Sequence, residues 1–74
     1  MEIRLMSIQK RSLTLFSHRT SISLELDFWH ALNDIAQNKQ LSLQKLIEHI
    51  DKHRKDNNLS SAIRIYVLHY FQNQ

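Results

Sequence analysis

The chain has 74 residues, 42% of them hydrophobic, which describes one small domain with a modest core. Chains of this size bury only about 60% of the surface they expose when unfolded, so association with a second chain is a common remedy. There is no cysteine, which excludes thiolate chemistry, disulfides and cysteine-based zinc sites, and no run of about 18 apolar residues that would cross a membrane as a helix.

The net charge of +3 is unevenly placed: before residue 25, Arg4, Lys10, Arg11 and Arg19 stand against Glu2 alone, while beyond it Lys and Arg balance Asp and Glu. A basic segment of this kind favours a polyanionic partner. Glycine and proline are both absent, so element ends must be found from caps and polar clusters.

Residues 1–10 alternate only weakly and are expected to form an N-terminal arm ahead of a domain spanning 11–74. Arg4, Gln9 and Lys10 interrupt this start, leaving no apolar core for a signal peptide, so a cytoplasmic location is expected. Leu13-Thr14-Leu15-Phe16 reads either as a second short strand or as an extension of the strand that follows, with Ser17-His18 as the break.

Arg19-Thr20-Ser21-Ile22-Ser23-Leu24 is the clearest strand. Alternation places Thr20, Ile22 and Leu24 on one face and Arg19, Ser21 and Ser23 on the other. With no strand of comparable quality nearby, its backbone groups are expected to pair with a copy in a second subunit.

After Leu24 the period lengthens to that of a helix: Phe28, Trp29, Leu32, Ile35 and Ala36 share one face. This helix should end in Gln37-Asn38-Lys39-Gln40. Ser42 is the expected N-cap of a second helix, with Leu43, Leu46, Ile47 and Ile50 on its apolar face and an end near Asp56-Asn57-Asn58. A third start signal lies at Leu59-Ser60-Ser61. The helix that follows is apolar on much of its circumference, including Ile65, Leu68 and Phe71, as a helix buried against a partner would be.

His49 and His53 are four apart on the second helix, a spacing that metal ligands use, but nothing completes the set and a solvated helix face is expected. Trp29 sits on the apolar stripe and is expected in the core rather than as a stacking platform for bases. No nucleophile–base arrangement and no glycine-rich phosphate loop is present, so no enzymatic activity, metal or cofactor is expected.

The segments Lys10-Arg11-Ser12-Leu13-Thr14, His18 through Glu25, Phe28-Trp29 and Asn58-Leu59-Ser60-Ser61-Ala62 resemble the ribbon-helix-helix DNA-binding proteins, the class of Arc and MetJ. More narrowly, they look like a small bacterial subfamily with an extra C-terminal helix. The resemblance covers about residues 10–71. It implies a mainly α chain with one N-terminal strand, assembled as an intertwined homodimer whose intersubunit antiparallel ribbon enters the major groove of double-stranded DNA.

By the family pattern the outward strand residues Arg19, Ser21 and Ser23 meet base edges, and the start of the second helix, at Ser42 and Leu43, clamps a phosphate. Arginine can bond guanine bidentately and serine can serve either base type; a helix N-terminus is suited to an anion. Lys10, Arg11, His18 and Lys45 are the expected additional phosphate contacts.

Two departures stand out. Gln40 takes the place of the family's usual glycine between the helices, where a left-handed residue would carry a strain of about 1–2 kcal/mol unless Asn38 makes the turn instead. A second Leu-Ser start also makes Ser60 a lesser candidate for the clamp. The expected function is that of a transcriptional repressor or autoregulator; the alternative is a dimeric antitoxin-like or adaptor module using the last helix to bind protein.

Overall fold

The computed structural model describes residues 7–74, in the order β1 (Ile8–Leu15), β2 (His18–Glu25), α1 (Leu26–Lys39), α2 (Leu43–His53) and α3 (Leu59–Gln72). The strands form a two-stranded antiparallel ribbon, with Ile8 opposite Glu25 and Leu15 opposite His18. Both strands belong to one chain, where one N-terminal strand was expected and Leu13-Thr14-Leu15-Phe16 was left as a second strand or an extension of it. Phe16 and Ser17 supply the reason: both take positive φ, 51° and 68°, as the two-residue hairpin turn matched to strand twist requires.

Ser7 extends the ladder by accepting from the Leu26 amide at 2.9 Å. Residues 8–10, expected in the arm, are therefore strand; the rest of the arm, residues 1–6, lies outside the described residues.

Several hydrogen bonds anchor the ribbon to the helices. Trp29, fully buried in α1, donates its indole N–H to the Gln9 carbonyl at 3.0 Å. The Phe16 amide donates to Glu48 Oε2 on α2 at 2.8 Å. Leu15, Ile22 and Leu24 on the inner ribbon face join Trp29, Leu32 and Ile35 of α1, Leu46 and Ile47 of α2 and Ile63 and Val67 of α3 in one core. Trp29 is thus a core residue, as its place on the apolar stripe requires.

Gln40 ends α1 in the left-handed conformation, φ 58° and ψ 41°. Its amide reaches back to Ala36 and Gln37, and the Leu41 amide bonds the Ala36 carbonyl at 2.9 Å, so the turn is closed by the last carbonyls of α1 itself. Ser42 caps α2 as expected, its hydroxyl accepting from the Lys45 amide at 3.1 Å.

α2 stops at His53, earlier than the polar run Asp56-Asn57-Asn58 suggested. Arg54 turns to extended backbone, ψ 154°, and its guanidinium bonds Asp51 at 2.6 Å and the Asn57 carbonyl at 3.0 Å. The cap of α3 is Asn58, which accepts from the Ser61 amide at 2.8 Å. Ser60 lies inside the helix, where its hydroxyl donates to the Ser23 carbonyl at 3.1 Å.

Candidate nucleic-acid interface

Register fixes which side chains share the outward face of the ribbon. Lys10 stands opposite Ser23, Ser12 opposite Ser21 and Thr14 opposite Arg19, and directly opposed residues project to the same side. Five of these six are exposed and Thr14 is half-buried. The three residues singled out on β2 therefore lie together, and β1 adds Lys10, Ser12 and Thr14. The contribution of Ser12 and Thr14 was missed because it depends on the hairpin; the alternation of Lys10, Ser12 and Thr14 against Leu13 and Leu15 was the signal.

The two cations on this face, Lys10 and Arg19, have no acidic partner among the described residues, whereas Lys45 is 3.8 Å from Glu48, Arg54 binds Asp51, and Arg64 makes a two-pronged contact with Glu25 at 2.9 and 3.2 Å. That guanidinium holds the Glu25 carboxyl below the usual carboxylate range.

Arg11 is separated from this face. It follows the inward parity of β1, its guanidinium carbon lies 4.8 Å from the centre of the Trp29 ring, and its Nη2 bonds the Gln9 side chain at 3.2 Å. A stacked arginine of this kind covers the tryptophan and stabilises the docking of β1 on α1. His18 is exposed at the start of β2, beside the turn.

At the start of α2, Ser42 uses its hydroxyl on the Lys45 amide, which leaves the first-turn amides of Leu43 and Gln44 without an intrahelical acceptor. The Lys45 side chain is 71% exposed. Glu48, one helical turn on, is buried; the Phe16 amide is the main cause of its carboxyl lying below the ordinary value of 4.5, with Gln44 and Lys45 adding to it. This carboxylate joins the hairpin tip to α2, the helix that Ser42 caps.

The ring centroids of His49 and His53 are 4.4 Å apart, and His53 Nδ1 lies 2.9 Å from the His49 carbonyl. Among the described residues no three His, Asp or Glu side chains converge as a metal site needs. No described helix is long and apolar enough to cross a membrane.

No curated protein and no solved structure is a significant match to the chain. A family model does match: that of the ribbon-helix-helix domain, over residues 8–71. The match begins with β1 and ends in α3, so it takes in the hairpin, both inter-helix turns and the third helix. Ribbon-helix-helix domains generally bind DNA as dimers, in transcription regulation or as antitoxins, and are typically not enzymes. The two-stranded antiparallel ribbon, the helices packed on its apolar face and the family match agree, and the chain belongs to the ribbon-helix-helix domain family.

Proposed function

We propose that the chain binds double-stranded DNA sequence-specifically as a homodimer and acts in the cytoplasm as a transcriptional repressor or autoregulator. The observation that carries this is the outward ribbon face, on which Lys10 and Arg19 stand among hydroxyl side chains with no acidic partner among the described residues. The major groove, about 12 Å wide, admits a two-stranded ribbon.

Arg19, Ser21 and Ser23 supply base contacts, with Ser12 and Thr14 beside them. Lys10, His18, Lys45 and the amides at Ser42 and Leu43 supply phosphate contacts, which position the ribbon without reading sequence. Arg11 is left out of this set because Trp29 engages it. A two-fold dimer implies an operator with two-fold symmetry.

The test is selection of sites from random double-stranded DNA, with the parent run beside the triple variant Arg19→Ala, Ser21→Ala, Ser23→Ala. Enrichment of a two-fold symmetric motif by the parent alone is the expected result. Equal behaviour of the two folded proteins overturns the assignment of the ribbon as reader. Within this function Arg19→Ala alone should cost about 1–3 kcal/mol of specific binding and relax base preference at one position of each half-site. Lys10→Ala should weaken binding to all sequences and flatten the salt dependence.

A second function, a dimeric protein–protein module, is favoured by one observation: Ile65, Leu68 and Phe71 of α3 remain 45%, 54% and 48% exposed.

A further inference from the structure

We infer that Arg64 of α3 is a positioning residue for DNA binding: by holding Glu25 it keeps that carboxylate off Lys10 and leaves the Lys10 ammonium to a phosphate. The inference rests on the DNA-binding function proposed above and adds to it a residue outside the ribbon.

It starts from one acidic side chain in a basic segment. Among the residues of β1 and β2, Glu25 alone is acidic. It has the parity of Arg19, Ser21 and Ser23, so it continues their row at the end of the strand. Register puts Ile8 opposite Glu25 and Lys10 opposite Ser23, which makes Lys10 and Glu25 diagonal neighbours on one face. Such neighbours are about 7–8 Å apart and within reach of each other through long side chains. The Debye length at physiological ionic strength is about 8 Å, so salt does not hide one charge from the other.

Glu25 is nevertheless engaged by a different element. Arg64 Nε donates to its Oε1 at 2.9 Å and Nη2 to its Oε2 at 3.2 Å. Both carboxylate oxygens are taken by a planar fork, a geometry that an ammonium cannot offer. Arg64 is the one Lys or Arg of α3, so no other residue of that helix can replace it.

The placement of α3 favours this contact. Ser60, one helical turn before Arg64, donates to the Ser23 carbonyl at 3.1 Å. Residues four apart on a helix share a face, as residues two apart on a strand do, so one side of α3 grips Ser23 and Glu25 together. The Phe28 ring lies 6.0 Å from the guanidinium on α1. The hold on Ser23 is through its carbonyl and leaves its exposed side chain in the outward row.

Loss of Arg64 should therefore act on DNA as loss of Lys10 does, although the two residues lie on different elements. Affinity for the parent's selected site and for an unrelated duplex of equal length is measured across a salt series. Arg64→Met should bind both duplexes about tenfold more weakly, with the salt slope reduced by about 1 for each chain, and so should Lys10→Ala. Adding Glu25→Gln to Arg64→Met should restore affinity and slope. Adding Asp34→Asn, at an exposed position about two turns along α1, returns the same net charge and should restore neither. Arg64→Met should cost little more in a chain that already carries Lys10→Ala. Without DNA, nitrogen-15 NMR of the Lys10 ammonium should show it paired with Glu25 in Arg64→Met and not in the parent. Thermal unfolding checks that each variant is folded, and Arg64→Gln replaces Arg64→Met if the latter is not.

Failure of Glu25→Gln to rescue, equal rescue by Asp34→Asn, or additive losses from Arg64→Met and Lys10→Ala each overturn the inference. The NMR measurement separates it from the function on which it rests. A parent that binds no duplex, with Lys10 passing to Glu25 in Arg64→Met, defeats the DNA function and leaves the hold of Arg64 on Glu25 as what keeps Lys10 unpaired. A parent that selects a motif, with the Lys10 signal unchanged by Arg64→Met, defeats the role of Arg64 and leaves the DNA function standing.

Discussion

At the hairpin turn Phe16 and Ser17 take φ 51° and 68°, and between α1 and α2 Gln40 takes φ 58°. Both turns need left-handed backbone in a chain that has no glycine to provide it, yet they are held in different ways. Gln40 is secured locally, by amides that bond back to Ala36 and Gln37 in the preceding helical turn. The hairpin turn is secured from 32 residues away, by the Glu48 carboxylate on the Phe16 amide. A bulky residue at positive φ is a true outlier, and such strain persists only where the surroundings over-determine it. The α1–α2 turn is therefore a property of its own segment, whereas the hairpin turn is a property of the assembled fold.

The strongest way to break this contrast is to remove the hairpin's anchor on α1. Trp29→Ala takes away a fully buried ring, the bond to Gln9 and the platform under Arg11. It should cost about 3–5 kcal/mol, measured by denaturant unfolding, with hairpin amides losing exchange protection while the Gln40 turn keeps its local bonds. Replacing Phe16-Ser17 by Asn-Gly should instead stabilise the protein, by about 1–2 kcal/mol, because that pair adopts the turn without strain. The gain should make the hairpin less dependent on Glu48, which a combined variant with Glu48→Gln measures.

Gln40→Gly should yield a smaller gain, about 0.5–1 kcal/mol, since relief of strain is partly offset by the entropy glycine loses on folding. No change in hairpin exchange should accompany it. The subtlest effect is in acid. Glu48 is held below its ordinary value of 4.5, chiefly by the Phe16 amide, so its contribution is present above that value and fades as pH falls through the lowered folded one. Glu48→Gln should flatten the acid limb of the stability curve but leave a residue of it, because Glu25 is also lowered, chiefly by its bonds to Arg64. An acid limb identical in parent and variant would contradict the role given to Glu48.

The same contrast explains what could be read from the chain. The helical stripes through Trp29, Leu32 and Ile35 and the Ser42 cap depend on neighbours within a few residues, and both were legible; the left-handed residue between α1 and α2 was left open between Gln40 and Asn38. The hairpin was not legible, because Phe16-Ser17 carries none of the residues that announce such a turn, and the group that holds it sits on another element. Without the hairpin, Ser12 and Thr14 could not be placed beside Ser21 and Arg19, and Arg11 could not be seen to turn toward Trp29. Ser60 looked like a cap by its Leu-Ser context, but Asn58, two residues earlier, offers a short side chain that reaches the Ser61 amide.

The pairing of Lys10 with Ser23 and Thr14 with Arg19 across a two-residue turn bears on how such a protein can change its target over generations. Inner and outer residues alternate along the same two strands, so single-residue insertions or deletions exchange the faces and bury the cations; indels are closed to it as a route of innovation. Point substitution at Lys10, Ser12, Ser21 and Ser23, by contrast, touches no core neighbour. If the ribbon reads DNA as proposed, a lineage can drift from one operator to another, or a designer can randomise those positions, while Ile22, Leu24 and Trp29 keep the fold constant.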